Sequence, residues 1–223
     1  VIGHQPWAAL DTEEKFRGAL EALSDHLDSI QRLRGVDVVH THTWYAAMAG
    51  FWAKKLYGMP FVLTTHSLEP LRNWKAEQLG SGYQMSSWME LTSISAADAI
   101  IAVSNGTKAD ILRAYPNFAP PRLPVLSPGL DLDEYRRDTA TNHLEAFGVD
   151  PTRPFVLFVG RITRQKGVTH LVDAIHHLPA DTQVVLCAGA PDTPEIAAEM
   201  RSMVEALQRT HGRGRWIEEI VST

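Results

Sequence analysis

The chain has 223 residues, of which 44% are hydrophobic, and its 26 acidic against 21 basic side chains give a formal net charge of −5. A chain of this length makes one large or two small domains, and its hydrophobic content supports a real core, which excludes a disordered protein. The acidic balance, the lack of a basic run and the lack of any roughly 20-residue apolar stretch argue against nucleic acid and membranes as partners.

The first part of the chain alternates helical and strand patterns. Asp11 and Glu14 suggest a helix start, and an apolar face continues to about Arg34, where a glycine ends it. Further elements are strands predicted at 36–40, 61–65, 99–103 and 123–126 and helices at about 44–56, 83–97, 105–115 and 143–148. The helix ending at Leu56 is apolar nearly all round, which predicts that it is buried. Residues 67–82 form a long polar loop with room for one helical turn, and such loops are often functional.

The last third of the chain repeats the alternation after a proline-containing segment. Residues 150–154 carry two prolines and predict a linker. Phe155–Val159 is a short β-branched and aromatic run that predicts a buried strand, and an amphipathic helical pattern covers 168–178. The remaining elements are strands at 183–186 and 214–220 and a helix at 196–207.

Short strands that alternate with helices on both sides of the linker predict two parallel-sheet α/β domains, residues 1–150 and 151–223. Right-handed crossovers would place the carboxyl ends of the strands on one rim of each sheet, and the two rims would face each other across a cleft. The single cysteine, Cys187, excludes an internal disulfide framework and suits a reducing cytoplasm. Because it follows an apolar strand, we interpret it as a small buried hydrophobe rather than a nucleophile.

Two cations follow the strand at 155–159 on a short loop that leads into a helix. Arg161 can fork onto phosphate oxygens, Lys166 adds a compact second charge, and the helix N-terminus offers unpaired N–H groups. The alternative is that both are solvated loop cations. Their place at the carboxyl end of a strand favours an anion site, since open α/β sheets bind ligands there. The chain contains no G-x-G-x-x-G after a strand and no P-loop, which disfavours a nicotinamide enzyme and a P-loop NTPase. It also contains no G-x-S-x-G nucleophile elbow.

Histidines follow two strands of the first half. His40, His42 and His66 lack a nearby carboxylate or cysteine set, which is weak evidence for a metal, so no metal is expected. We interpret His66, at a strand tip, as a sugar-contacting group, with a structural histidine as the alternative. Trp44, beside His42, is more often a core residue than a stacking platform.

Two glutamates are candidates for acid chemistry. Glu69 and Glu90 have no obvious paired carboxylate in the sequence, which favours a surface or loop role for both.

Residues 160–167, GRITRQKG, resemble the donor-phosphate motif of retaining glycosyltransferases of the GT-B fold, of the family 4 and 5 type. That fold consists of two Rossmann-like parallel-sheet domains. The blocks that resemble the actinobacterial glycogen synthase family, also described as ADP-glucose-dependent α-maltose-1-phosphate synthases, are HTHTW at 40–44, TTHSLEP at 64–70, KAEQLG at 75–80 and AGAPDTP at 188–194. The similarity runs from about residue 36 to 201.

The resemblance implies roles for particular residues. Arg161 and Lys166 would bind the donor diphosphate, His66 would contact the donor sugar, and these three would form the catalytic group. Sugar or acceptor contacts are assigned to His42, Trp44, Glu69 and Lys75. The implied reaction is retaining transfer of glucose from ADP-glucose or UDP-glucose to an α-1,4-glucan or to glucose 1-phosphate, with no cofactor beyond the nucleotide sugar.

Both predicted domains are expected to be incomplete. Relatives begin with a strand and a glycine-rich loop that closes over the donor, and they carry a later glutamate motif that contacts the sugar. We therefore expect this chain alone to be weakly active or inactive, and its uncovered edge strands to favour a homo-oligomer. The alternatives are a non-catalytic nucleotide-sugar-binding fragment and another retaining transferase with a different sugar donor.

Overall fold

The structure is a computed structural model that describes residues 14–33, 35–116, 122–137, 139–163, 166–189, 191, 194–211 and 214–217. Contacts divide the chain into two compact units, Val1–Asp131 and Leu132–Thr223. In the described residues, each unit contains a three-stranded parallel sheet whose strand order follows the chain order. The predicted α/β class with parallel sheets is confirmed.

The first unit builds its sheet from β1 (Val39–His42), β2 (Phe61–Thr65) and β3 (Ala99–Ala102). Its helices are α1 (Arg17–Ile30), α2 (Trp44–Tyr57), α3 (Lys75–Leu79), α4 (Gly82–Ala96) and α5 (Asn105–Ala114), with a 3-10 turn at Glu69–Leu71. The predicted cap of α5 is present, because the Ser104 hydroxyl accepts a hydrogen bond from the backbone N–H of Thr107 at 3.0 Å.

The second unit builds its sheet from β4 (Phe155–Val159), β5 (Gln183–Cys187) and β6 (Gly214–Ile217). Its helices are α6 (Asn142–Ala146), α7 (Val168–Ala174), which continues into a 3-10 turn at Ile175–His177, and α8 (Pro194–His211). Helices connect the parallel strands because one strand ends, and the next begins, at opposite ends of the sheet along the strand direction.

Side-chain alternation along the strands gives the first sheet two different faces. Phe61 and Leu63 of β2 and Ile100 of β3 pack with Ala47 of α2 and Ile94 of α4 in one buried cluster. The intervening residues of β1 and β2 point to the opposite face, since successive side chains of a strand alternate. We call that side the histidine face, and its members are His40, His42, Val62, Thr64 and His66.

Helix α2 is buried along one side only, although its sequence predicts burial all round. Tyr45 and Leu56 are exposed, while the side of the helix against the sheet is closely packed. Gly50 makes that approach possible, because a Cβ atom there would come within 2.2 Å of the Phe61 ring. The apolar pattern was read correctly as a helix, but the solvent-exposed side carries aromatic and aliphatic residues as well.

The second sheet is covered on one face by α7 and α8. Val184 and Leu186 of β5 join the apolar side chains of both helices in one buried cluster. The alternate residues of β4, Phe155, Leu157 and Val159, are exposed by 37%, 51% and 72% of their surface. We call these three residues the apolar face. The prediction of a buried strand at 155–159 is therefore correct for the strand and wrong for its burial, because the helices pack on the other side.

Two predicted strands differ from the structure at the edges of the first sheet. The strand predicted at 36–40 begins at Val39 and continues to His42. The strand predicted at 123–126 is reduced to a single bridge between Ala102 and Val125. The chain does run beside β3, with the carbonyl of Pro124 accepting from the N–H of Ala102 at 3.0 Å, but proline has no N–H to continue the ladder.

The predicted loop at 67–82 contains α3 and a 3-10 turn, which is more helix than the expected single turn. The predicted linker at 150–154 lies within the second unit rather than between units. Gln183 ties it to β5, because its side chain exchanges hydrogen bonds of 2.9 and 2.8 Å with the backbone of Asp150, and its N–H donates to the carbonyl of Pro154. The unit boundary at Asp131 therefore precedes the predicted division after Asp150.

Several predictions concern residues that are not described. Asp11, Arg34 and the end of the last strand at 218–220 lie outside the described residues. The first helix is nevertheless shorter than predicted at both ends, because α1 begins at Arg17 and ends at Ile30. Within the described part of the chain, no helix combines the length and apolar character that crossing a membrane requires.

Candidate functional site

The carboxyl ends of β1 and β2 bring two predicted site residues into contact. His42 is the last residue of β1, and His66 directly follows β2. Because β1 pairs His42 with Thr64, the alternation of side chains places His66 on the same face. Nδ1 of His42 lies 3.0 Å from Nε2 of His66, and the two rings stack with their centroids 5.3 Å apart. Both residues are exposed, so this pair can meet a ligand from solvent.

A third histidine, His40 of β1, lies next to this pair. Nε2 of His40 lies 2.7 Å from the buried Thr64 hydroxyl, and its ring centroid is 4.6 Å from that of His42. Burial lowers the pKa of His40, and the charge of His42 lowers it further. The N–H of Thr43 donates to the carbonyl of Thr64 at 3.0 Å. Thr43 also adopts φ 56° and ψ 177°, which is a strained conformation for a β-branched residue.

Glu69 is the centre of a buried hydrogen-bond network three residues beyond His66. Its Oε1 accepts from Nζ of Lys75 at 2.9 Å, and its Oε2 accepts from the hydroxyl of Ser86 at 2.6 Å. Its carbonyl accepts from the hydroxyl of Tyr83 at 2.6 Å. Both side chains of the Glu69–Lys75 pair are almost fully buried. The network therefore anchors the segment after β2 to α4.

Glu90 on α4 completes the network from the other side. Its Oε1 accepts from the N–H of Glu69 at 2.9 Å and from the hydroxyl of Tyr115. Burial raises the pKa of Glu90 from 4.5 to about 7, although the hydrogen bonds from Tyr115 and Glu69 act in the opposite direction. Burial and the charge of Glu90 also raise the pKa of Tyr115. With Glu90 protonated, the cluster pairs one ammonium, that of Lys75, with one carboxylate.

The expected surface or loop role of both glutamates is wrong for their side chains, which are buried. Glu90 contacts Glu69 through the backbone N–H of Glu69, so the bond does not join the two carboxyl groups. Sequence reasoning named Glu90 but missed its hydrogen bonds to Glu69 and Tyr115, because these partners are distant in the chain. A signal was available: Ser86, Glu90 and Ser93 recur at helical spacing among the buried residues of α4, so one buried stripe of that helix is polar.

The other predicted sugar contacts lie against this network. Nζ of Lys75 is 5.4 Å from the ring centroid of Trp44 and 5.1 Å from that of Tyr45, within cation–π range. Trp44 itself is buried, in a cluster with Met48 and other apolar residues. The structure thus brings Trp44, Glu69 and Lys75 together inside the first unit. Their assignment as sugar or acceptor contacts stays a prediction.

The loop after β4 presents both predicted phosphate ligands at the surface. Arg161 and Lys166 are exposed, while Ile162 between them is fully buried and fixes the loop to the core. The N–H of Lys166 donates to the carbonyl of Thr163 at 3.1 Å. Gly167 adopts φ 62° before α7 begins, a conformation that favours glycine. Residues 164 and 165 of the motif lie outside the described residues.

A small cavity of about 190 Å³ lies beside this loop. It is lined by Ile162 and Thr163 of the loop and by side chains near the starts of α7 and α8. Pockets that bury a small-molecule ligand usually measure roughly 300–1,000 Å³. A nucleotide sugar would therefore be only partly enclosed by this cavity.

Two further chemistries find little support in the described residues. No group of three or more histidine, cysteine, aspartate or glutamate side chains there could hold a metal ion. Cys187 is half-buried at the end of β5, and burial raises the pKa of its thiol. A thiol with a raised pKa is a poor nucleophile at neutral pH, because the thiolate is the reactive form.

Comparison with known proteins points to one enzyme class. The chain is 52% identical over 208 residues to the α-maltose-1-phosphate synthase of Mycolicibacterium smegmatis. The matched region covers 92% of this chain and 54% of that synthase. The chain therefore spans about half the length of this relative.

Solved structures show the same fold. Sucrose-phosphate synthase from Thermosynechococcus elongatus matches 95% of this chain and 52% of its own, with a TM-score of 0.68 and 20% identity. The Anabaena protein HepE in complex with UDP-glucose matches 88% of this chain and 52% of its own, with a TM-score of 0.70 and 17% identity. The predicted GT-B type of fold is thus confirmed. Residues 8–134, more than half of the chain, match Glycosyltransferase Family 4, and the chain belongs to that family.

Proposed function

We propose that the chain is part of a retaining glycosyltransferase that moves glucose from ADP-glucose or UDP-glucose to an α-1,4-glucan or to glucose 1-phosphate. The observation that carries the proposal is the loop after β4, where Arg161 and Lys166 are exposed at the carboxyl end of a parallel strand. The 52% identity to an α-maltose-1-phosphate synthase supports the same substrate class.

The two cations suit the chemistry of this transfer. Breaking the bond between sugar and phosphate builds negative charge on the leaving nucleotide diphosphate. Fixed positive groups that interact more strongly with that charge lower the barrier, because they bind the transition state better than the ground state. A charge-assisted hydrogen bond contributes about 1.5–3 kcal/mol, so each of Arg161 and Lys166 is expected to matter. No metal or organic cofactor is proposed.

His66 is proposed as the contact to the transferred sugar. A ring nitrogen of an exposed imidazole can form a hydrogen bond with a sugar hydroxyl group, and Nδ1 of His66 is the one not facing His42. In the proposed reaction the acceptor attacks from the side of the leaving group, so the paired carboxylates of glycosidases are not required. Glu69 and Lys75 then serve by holding the segment that follows His66, rather than by acid chemistry.

The donor and acceptor are tested together by a transfer assay. The purified chain is incubated with ADP-, UDP- and GDP-sugars, with glycogen or glucose 1-phosphate as acceptor, and released nucleotide and product are measured. We expect ADP-glucose to be the preferred donor and turnover to be weak. Binding of ADP-glucose without any transfer would support a non-catalytic nucleotide-sugar-binding fragment instead.

The choice of donor is the second point the assay decides. The structural neighbour from Anabaena binds UDP-glucose, which keeps that donor in the panel. Preference for a GDP- or other non-glucose sugar would contradict the proposed substrate.

The cytoplasm remains the proposed location, supported by the single cysteine. A homo-oligomer remains the proposed assembly, supported by the exposed apolar face.

A further inference from the structure

Two imidazole rings at the carboxyl end of the first sheet are joined by one hydrogen bond. Nδ1 of His42 and Nε2 of His66 lie 3.0 Å apart. We propose that His42 is a positioning residue, which fixes the tautomer and the ring orientation of His66 through this bond. The inference rests on the proposed function for one point, the role of His66 as the residue that touches the sugar.

Three features hold the His42 ring in place although it is exposed. The β1–β2 ladder pairs His42 with Thr64, and the N–H of Thr43 extends that ladder by one further bond to the Thr64 carbonyl. The His40 ring lies against the His42 ring, with the centroids 4.6 Å apart, and is itself bonded to the Thr64 hydroxyl. His42 therefore belongs to the rigid sheet, whereas His66 begins the segment that leaves it.

The bond imposes a chemical condition on His66. Two imidazole nitrogens can form a hydrogen bond only when one carries a proton and the other offers a lone pair. Because Nε2 of His66 faces His42, Nδ1 is the ring nitrogen left for a ligand. If Nε2 accepts, Nδ1 carries the proton and donates to a sugar oxygen; if Nε2 donates, Nδ1 accepts. The partner nitrogen thus decides what His66 offers to the substrate.

Loss of the partner should affect His66 in a specific way. A ring without its hydrogen bond exchanges between tautomers and can rotate about its side-chain bonds. A purely packing role for His42 would depend on its ring and not on its nitrogen. The variants His42→Phe, which keeps a stacked ring, and His42→Asn, which keeps a polar atom near the Nδ1 position, separate these two roles. His40→Phe is the matched control, because it keeps an aromatic ring beside His42 and removes a bond to Thr64 rather than to His66.

The pairing is tested first without ligand. Imidazole nitrogen resonances of the ¹⁵N-labelled chain are recorded at about pH 8, where unperturbed histidines are neutral. We expect His66 to show one fixed tautomer in the wild type and in His40→Phe, and an average of tautomers in His42→Phe. Identical His66 spectra in the wild type and in His42→Phe would overturn the proposal.

The functional consequence is tested by calorimetric titration of ADP-glucose in a double-mutant cycle. His42→Phe should weaken binding by about three- to tenfold, the value of one hydrogen bond, and His42→Asn should recover most of the loss. In a His66→Ala background, His42→Phe should have no further effect. Additive losses, or equal losses in His42→Phe and His42→Asn, would contradict positioning through His66.

Arg161→Ala in the same titration judges the proposed function separately. Unchanged ADP-glucose affinity in that variant removes the nucleotide-sugar assignment. The ligand-free spectra still decide whether His42 orients His66.

Discussion

Both units arrange three parallel strands in chain order against helices, yet they differ in what they bury. Among the described residues, the buried ionisable side chains are all in the first unit: His26, Glu69, Lys75, Glu90 and Tyr115. In the described part of the second unit the buried polar residues are Thr163, Thr182 and Gln183, none of which titrates. Similar strand topology is therefore compatible with buried groups that titrate in the first unit and with described buried polar groups that do not titrate in the second.

The two units also differ in the chemical character of one face of each sheet. The first sheet presents the histidine face, with hydrogen-bonding groups at the ends of its strands, while the second presents the apolar face of β4. The second unit instead exposes its charged groups, Arg161 and Lys166, on a loop. We therefore expect the first unit to respond to loss of buried charge and to pH, and the second to respond to changes in exposed apolar surface.

The largest expected effect is the loss of the buried ammonium. Lys75→Met leaves the buried Glu69 carboxylate without its cation, which should lower the free energy of unfolding of the first unit by about 3–5 kcal/mol. The matched control is Lys54→Met, because Lys54 pairs with Asp98 at 2.7 Å where both side chains are partly exposed. That change should cost about 0.5 kcal/mol. Urea denaturation measures both, and equal costs would break the distinction between buried and surface pairs.

A pH titration tests the buried carboxyl directly. Since the pKa of Glu90 is raised to about 7, the folded state binds more protons than the unfolded state between about pH 4.5 and 7, and stability falls as pH rises through that window. Replacement by glutamine removes this contribution. The stability advantage of the wild type over Glu90→Gln should shrink by about 3 kcal/mol from pH 4.5 to above 7.

The quantity to follow is the difference in the free energy of unfolding between the wild type and Glu90→Gln. Burial lowers the pKa of His26, which gives the stability of both proteins an opposite trend with pH that cancels in this difference. A constant difference across the range would show that Glu90 titrates normally. The second unit should show neither trend.

Relief of strain at the end of β1 has a smaller expected effect. Thr43→Gly removes the steric cost of φ 56° but adds backbone entropy to the unfolded chain, so we expect a net gain of about 1 kcal/mol. Thr43→Ala is the control, since it removes the side-chain hydroxyl but keeps the Cβ atom and should not stabilise. Thermal unfolding of the three proteins measures the effect. Destabilisation by Thr43→Gly would mean that the turn is not strained.

The smallest effect on folding is expected on the apolar face. Leu157→Lys should change stability by no more than about 0.5 kcal/mol, yet reduce self-association, because it places a charge on an exposed apolar strand. Leu112→Lys is a matched control: Leu112 on α5 is 47% exposed, against 51% for Leu157. Analytical ultracentrifugation compares the two variants with the wild type. An equal reduction in both would assign the association to general solubility.

Local patterns predicted most of the elements. The bounds of β2 and the cap at Ser104 follow from short-range signals that the structure repeats. The prediction that β4 is buried failed because a run of five apolar residues does not reveal which face the helices will cover. Pro124 shortened another strand through its missing N–H, a local signal that could have been used.

The site was predicted unevenly for the same physical reason. Arg161, Lys166 and His66 were proposed as site residues because each belongs to a recognisable motif that follows a strand, and their roles stay predictions. The contact of His42 with His66 depends on the register between β1 and β2, which fixes residues 24 positions apart. The meeting of Glu69 with Glu90 depends on how α4 packs against the segment after β2, and no pattern within either segment reports that.

We propose that the loop cations of the second unit, Arg161 and Lys166, bind the diphosphate of a nucleotide. Calorimetric titration of ADP into the wild type, Arg161→Ala and Lys166→Ala tests it most directly, with Arg209→Ala on α8 as an equal change of charge elsewhere in the unit. We predict that each loop variant weakens ADP binding by about ten- to a hundredfold and that Arg209→Ala does not. Equal ADP affinity in all four proteins would show that these two cations do not bind the diphosphate.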